Sequence, residues 1–301
     1  MIDIKYHIAS IVAVFLALGL GILIGSTIVG DEILVDQQKK MLDRLEEQFT
    51  LIKDRETQLI SDNNYKDEVI NNYENFSQIL LPPLVKGRLE GEKVAIVVTN
   101  NTDIPSGLIN TLTIAGAKVV SKTVVLTNIS LANEEILTKL KQYYNINEDI
   151  DNIEAVIRGY IGGSVSTVLL NADDYGIIEF LQENQLINFT GDYETDISKV
   201  IILGGSNSLE NNYAADFDTS LIQHLDNHGL KVYGVEKSKA EHSYMSYYQK
   251  FNITTIDNID LSPGQISLIF AIEGELGHYG TKATAQKFMP LLPIESLGSG
   301  E

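Results

Sequence analysis

Hydrophobic and polar positions follow three different patterns in turn along this chain. From Ile8 to Gly30 no residue carries a charge, and the only hydroxyls are Ser10, Ser26 and Thr27. At a rise of about 1.5 Å per residue this run can cross a hydrocarbon core of roughly 30 Å, and the hydroxyls can bond back to the helix's own carbonyls. The pattern predicts a transmembrane helix. It exceeds the apolar region of about 7 to 15 residues in a secretory signal, and no Ala-x-Ala site follows, so an uncleaved N-terminal anchor is expected.

From Asp31 to Leu81 there is no Gly or Pro, and Glu, Gln, Lys, Asp and Asn dominate, as in a long exposed helix. Apolar residues recur at heptad spacing. Leu42, Phe49 and Ile70 fall at a, with Leu45, Ile52, Leu59 and Tyr73 at d. Glu56, Asn63 and Lys66 interrupt the seam, and Val69, Tyr73, Phe76 and Leu80 mark a shifted phase near its end. The spacing predicts a parallel coiled coil over 31–82; the alternative is an amphipathic helix folded onto the following domain. Pro82-Pro83 is expected to end the helix, and Gly87 and Gly91 to form a joint over 83–91.

Beyond Glu92 short β-branched runs alternate with helical stretches, the mark of an α/β domain with a mainly parallel sheet of Rossmann or flavodoxin type. Strands are expected over 93–99, 118–126, 200–203, 230–235 and 253–256. Helices are expected over 104–115, 214–228, 242–250 and 263–272, and 131–186 reads as mainly helical with a break at Gly162-Gly163. This domain is assigned to 92–293, with a tail over 294–301. Ser262 is expected to N-cap the last helix with Pro263 in its first turn, and the glycine-flanked His278-Tyr279 reads as a loop.

Small residues four apart on the first helix, Ala9, Ala13, Ala17, Gly21 and Gly25, form a stripe ending in GxxxG that lets two membrane helices approach closely. Ala13, Ala17, Gly21 and Gly25 are the expected helix contacts of a homo-oligomer. Abundant Ala and Gly in membrane helices explains the same stripe without a contact. Charges flanking the helix do not fix orientation: Lys5 opposes Asp3 on one side, and Asp31, Glu32 and Asp36 precede Lys39, Lys40 and Arg44 on the other.

The formal net charge of −19 over 301 residues argues against nucleic acid as a partner. Cysteine is absent, which excludes disulfides, thiol nucleophiles and thiolate metal sites. No GxSxG, SxxK or HExxH occurs, and no catalytic residue is assigned. Gly204-Gly205-Ser206 follows a strand where α/β folds bind ligands, yet it lacks both the phosphate-loop lysine and the GxGxxG spacing, so a tight turn is expected.

His224 and His228 lie four apart, as do the ends of a shared helix face, and no third ligand accompanies them. His242 and Met245 are spaced to share a helix face; with His278 they are the metal candidates that residue type allows. Asp173-Asp174 and the pair Glu273 and Glu275 could serve as hydrolytic carboxylates, but the chain has no Trp to line a sugar cleft, and solvated surface charge is the simpler reading.

Two blocks carry a family resemblance: Tyr6-His7-Ile8-Ala9-Ser10-Ile11 through Gly25-Ser26, and Asp257-Asn258-Ile259-Asp260 through His278-Tyr279-Gly280. Both resemble the MctB family, named as copper transport proteins, which includes SteB-like proteins encoded beside SteA and linked to control of septal peptidoglycan hydrolysis. The resemblance implies a single-pass anchor in the cytoplasmic membrane with its N-terminus inside and the main domain outside. It further implies a non-enzymatic role in copper transport or homeostasis, or alternatively a scaffold that engages a SteA-like protein or a cell-wall hydrolase. Copper enters through the resemblance alone. Asp257, Asn258, Asp260, His278 and Tyr279 are then the expected family-specific surface.

Overall fold

The computed structural model describes residues 4–147, 150–170, 175–192, 195–209 and 212–292, without the side chains of 27–33 and 175. The Asp173-Asp174 pair and the 294–301 tail lie outside these residues. By internal packing the chain divides into two units, Met1–Asn71 and Asn72–Glu301.

The first unit consists of helix α1, which is described over Ile4–Val85 and so enters the second unit with its last turns. Its segment Ile4–Ser26 has a mean hydropathy of 2.7 and none of it is buried. Among the described residues this is the one helical stretch long and apolar enough to cross a membrane. Leu42, Leu45, Phe49, Ile52 and Leu59 are all exposed on the single chain, Phe49 to 72%.

Pro82 and Pro83 do not end α1. They sit inside its last turn, the Lys86 N–H bonds back to the Pro82 carbonyl at 3.0 Å, and Leu84 and Val85 are buried. Burial of this apolar end offsets the helix hydrogen bonds that proline cannot make. Gly87 and Gly91, both left-handed, then turn the chain into the sheet.

Strands β1 (Lys93–Val98), β2 (Lys118–Val125), β3 (Ile187–Gly191), β4 (Lys199–Gly204), β5 (Lys231–Glu236), β6 (Thr254–Ile256) and β7 (His278–Tyr279) form one sheet ordered β3-β2-β1-β4-β5-β6-β7. Only β3 runs antiparallel, pairing with β2 from Ser121 opposite Gly191 to Val125 opposite Ile187. The parallel body is what the alternation of strands and helices predicts; β3 falls just past the 131–186 stretch read as mainly helical, where no strand is expected. His278-Tyr279, read as a loop, is a two-residue strand paired with Thr255 and Ile256.

Side chains of β1 divide with period two, as they must on a sheet covered on both faces. Ala95 and Val97 enter a core with α4 (Ile153–Leu169), α5 (Tyr175–Glu183) and α6 (Thr219–Asn227). Val94, Ile96 and Val98 enter a second core with the end of α1, α2 (Leu108–Ile114) and α8 (Ser262–Glu273). Helix α3 (Glu134–Tyr143) starts where the Asn133 side chain accepts the N–H groups of Glu135 and Ile136.

Three helices differ from their sequence limits for local reasons. α2 begins at Leu108 instead of 104, because Pro105 and the left-handed Gly107 hold the chain outside helical geometry. The 242–250 helix shrinks to the single turn α7 (Met245–Tyr248), since His242 exchanges both backbone hydrogen bonds with Ser206. The 214–228 helix opens as a π-helical turn over Ala214–Asp218, closed by the Thr219 hydroxyl donating to the Ala214 carbonyl at 2.8 Å.

Candidate functional site

In a doubly wound sheet the ligand crevice lies at the carboxyl ends of the strands where connections diverge, here between β1 and β4. Thr99 follows β1, and Gly204 ends β4 with Gly205 left-handed at φ 81°. Tyrosines fill the space above them. A Cβ on Gly204 would stand 2.7 Å from Tyr244 Cδ2 and 2.9 Å from Tyr248 Cζ, and one on Gly234 would overlap Tyr248 Cδ2 and stand 3.1 Å from its Cγ and Cε2. The glycines therefore admit aromatic rings, and the Gly204-Gly205-Ser206 sequence is a tight turn.

Beneath these rings lies Asp218, fully buried at the end of the π turn. Its Oδ2 accepts from the Thr99 hydroxyl at 2.9 Å and, in a short bond, from the Tyr248 hydroxyl. Its Oδ1 has no hydrogen-bond partner. Burial pushes the carboxyl up to about 7 from 3.8, against the hydrogen bonds from Tyr248 and Thr99. Burial and the Asp218 charge push the Tyr248 phenol well above its ordinary value. Among the described residues the cluster is interior, with Asp218, Tyr244 and Tyr248 all fully buried.

A second polar cluster ties the C-terminal segment to the ends of β5 and β6. Buried Glu236 accepts from Lys282 Nζ at 2.7 Å, from the Ser243 hydroxyl at 2.6 Å and from the Tyr244 N–H at 2.8 Å. Asp257 accepts the N–H groups of Thr281 and Lys282 at 2.7 and 3.0 Å, against Gly280, whose φ is 138°. Asp260 accepts the Ser238 N–H and hydroxyl.

The expected family-specific surface is thus largely interior. Asp257, Asn258 and Tyr279 are buried, with Asp260 and His278 half-buried. The Tyr279 hydroxyl donates to the Glu275 and Leu276 carbonyls, and His278 Nδ1 lies 3.0 Å from the Thr255 hydroxyl. Burial holds the His278 imidazole below its ordinary value. These residues are the fastening of a C-terminal strap. Turn chemistry and flanking glycines gave the signal for a tight structure, and carboxylates satisfied by backbone N–H groups are what hold it closed.

Ser262 is the first residue of α8 rather than its cap. Its N–H and hydroxyl donate to the Glu74 carboxylate at 3.1 and 2.6 Å, so an acidic side chain from α1 caps the helix from 188 positions away. No local sequence rule reveals such a cap.

The metal candidates are not brought together. His242 lies in the bridge with Ser206, ahead of α7, and Met245 is buried within the core, so they share no helix face. His224 and His228 each donate Nδ1–H to the carbonyl four residues earlier, at 2.9 and 2.7 Å. Each ring has Nδ1 committed to the helix backbone and only Nε2 left to offer. Among the described residues no group of three or more His, Asp or Glu could hold a metal ion.

Fold and site define a class: an α/β protein carrying an apolar membrane-spanning type of helix, with a doubly wound sheet and, among the described residues, buried tyrosines packed at its switch point. The family model described as "Copper transport outer membrane protein, MctB" matches residues 1–290, nearly the whole chain, and the chain belongs to that family. A search of the curated proteins finds no match. Membership gives the chain a family-level role in copper transport or homeostasis.

Proposed function

We propose that this protein acts as a non-catalytic, homo-oligomeric membrane protein, with the α1 seam pairing two or more copies and the α/β domain lying outside the cytoplasmic membrane. Copper handling then depends on the assembly and its partners, with no ion held by the α/β domain alone. The observation that carries the reading is the row Leu42, Leu45, Phe49, Ile52 and Leu59, apolar at heptad spacing and exposed on the single chain. Leaving such a row in water is unfavourable, and a second copy covers it with matching residues. Although the family description names the outer membrane, an apolar helix of 23 residues suits the cytoplasmic membrane; the orientation proposed, with the N-terminus inside, is the one the family resemblance implies.

The cysteine-free sequence gives a direct test. With Phe49→Cys in the full chain in lipid nanodiscs, mild oxidation is expected to produce a disulfide-linked dimer, whereas Glu47→Cys, off the seam, is not. Equal crosslinking at both positions would sink the parallel seam. Equilibrium dialysis of the full chain with Cu(I) and Cu(II), alongside His242→Ala and His278→Ala, tests the copper arm: tight stoichiometric binding lost in either variant would overturn assembly-dependent handling.

The same exposed helix favours a second reading, a scaffold whose coiled coil engages a SteA-like protein or a cell-wall hydrolase. In that case copper sensitivity of cells is unchanged by seam mutations while partner capture by the full chain is lost.

A further inference from the structure

The helical layer on the same face of the sheet keeps open, on its outer side, what the switch crevice closes. Between α4 and α6 lies a cavity of about 370 Å³ lined by Tyr144, Tyr160, Gly159, Gly163, Ser220 and His224, with Val156, Ser164 and Thr167 completing its wall. Tyr144 and Tyr160 stack with centroids 5.3 Å apart, and Tyr160 is 51% exposed.

Two of its glycines have no packing reason to be glycine. Helix-interior glycine costs about 0.5–1 kcal/mol relative to alanine. At Gly162 that cost is unavoidable, because a Cβ would stand 2.6 Å from the Phe217 carbonyl oxygen and 3.2 Å from the Leu221 nitrogen. At Gly159 the nearest atom would be Ser220 Oγ at 3.8 Å, and at Gly163 the edge of the His224 ring at 3.4 Å, both ordinary contacts. Both face the cavity, and a side chain at either would take up its volume.

The lining selects the ligand. It carries no Lys, Arg, Asp or Glu, on a chain of net charge −19, which disfavours an anion and gives a cation no counter-charge. A purely apolar ligand would strip water from the Tyr144–Ser164 hydroxyl pair, from Ser220 and from His224 without replacing its hydrogen bonds. A metal finds one imidazole. The Ser220 hydroxyl already donates to the Gly159 carbonyl, the Thr167 hydroxyl to Gly163, and His224 Nδ1–H to Ser220, so these groups offer acceptor positions, including His224 Nε2.

We propose that this groove binds a neutral pyranose sugar, its C–H face on the Tyr160 ring and its hydroxyl or amide donors on the His224 and Ser220 acceptors. The cavity accommodates one or two rings.

The test is saturation-transfer NMR on the full chain in lipid nanodiscs, which avoid sugar-headed detergents, using methyl glucoside, N-acetylglucosamine and the β-1,4 trimer of the latter. Saturation of the ring C–H protons is expected for at least one probe. Its affinity falls at least about tenfold in Tyr160→Ala and Gly159→Leu, with the thermal unfolding of each variant measured in parallel. Should Gly159→Leu fail to fold, Tyr160→Ala decides, since its exposed ring is not part of the core. Absence of transfer from all three probes at about 10 mM overturns the proposal, as does transfer unchanged in Tyr160→Ala.

Discussion

Two glycine-lined places in one domain have opposite fates. Over β4 and β5, beside the switch point, Gly204 and Gly234 make room that Tyr244 and Tyr248 immediately fill; between α4 and α6, Gly159 and Gly163 make room that nothing fills. Glycine in the first place serves the core. In the second it serves the surface. The difference shows that the position where a doubly wound fold ordinarily binds ligands is a matter of side chains as well as topology, and that this chain has moved its open concavity to an outer helical layer.

The strongest way to break the comparison is to deny the tyrosines their space. Gly204→Val places atoms inside the volume of Tyr244 and Tyr248, which cannot move without uncovering Asp218. The expected loss is about 3 kcal/mol or more, read as a lower urea midpoint for near-ultraviolet tyrosine signals, with helical signal from α1 retained. An unchanged midpoint would mean that the rings do not fill the crevice in solution.

Asp218 gives the next effect, and its sign is fixed by burial. A carboxyl raised from 3.8 to about 7 binds its proton in the native state across a range where the unfolded chain has lost it. Native stability therefore falls as pH rises through that interval. Asp218→Asn removes this contribution, so wild-type stability minus variant stability is expected to decline by roughly 3 kcal/mol from pH 4.5 to 7.5. Taking the difference cancels the other titrating groups, among them Glu92, held low by its hydrogen bond to Lys199. A difference independent of pH would mean that Asp218 is ionised throughout.

How much of this was legible differs between the two places. Strand composition revealed the parallel body because fully buried strands such as Val94–Val98 are apolar on both faces. The missing phosphate-loop lysine leads to a tight turn being expected at Gly204-Gly205, where Gly205 is left-handed. What sequence could not show was Tyr248 reaching back over Gly204 of β4, a contact between residues more than forty positions apart. Heptad and turn rules are local, so they also missed Glu74 capping α8 and the interior placement of Asp257 and Asn258. The open groove was equally hidden: Gly162-Gly163 read as a helix break, whereas α4 runs unbroken through it.

The smallest expected effect separates the two uses of glycine within a single helix. Gly162→Ala drives a methyl into the Phe217 carbonyl and should cost about 1–3 kcal/mol, because two backbone atoms of the facing turn must shift. Gly159→Ala, one turn earlier on α4, meets only ordinary contacts, and it restricts the unfolded chain. It should stabilise the domain by about 0.5–1 kcal/mol in urea titration. A stabilised Gly159→Ala protein shows that glycine is retained there against stability, as an open groove requires. A destabilised one would place Gly159 with Gly162 among residues the packing itself demands, and the contrast between the filled crevice and the open groove would lose its basis.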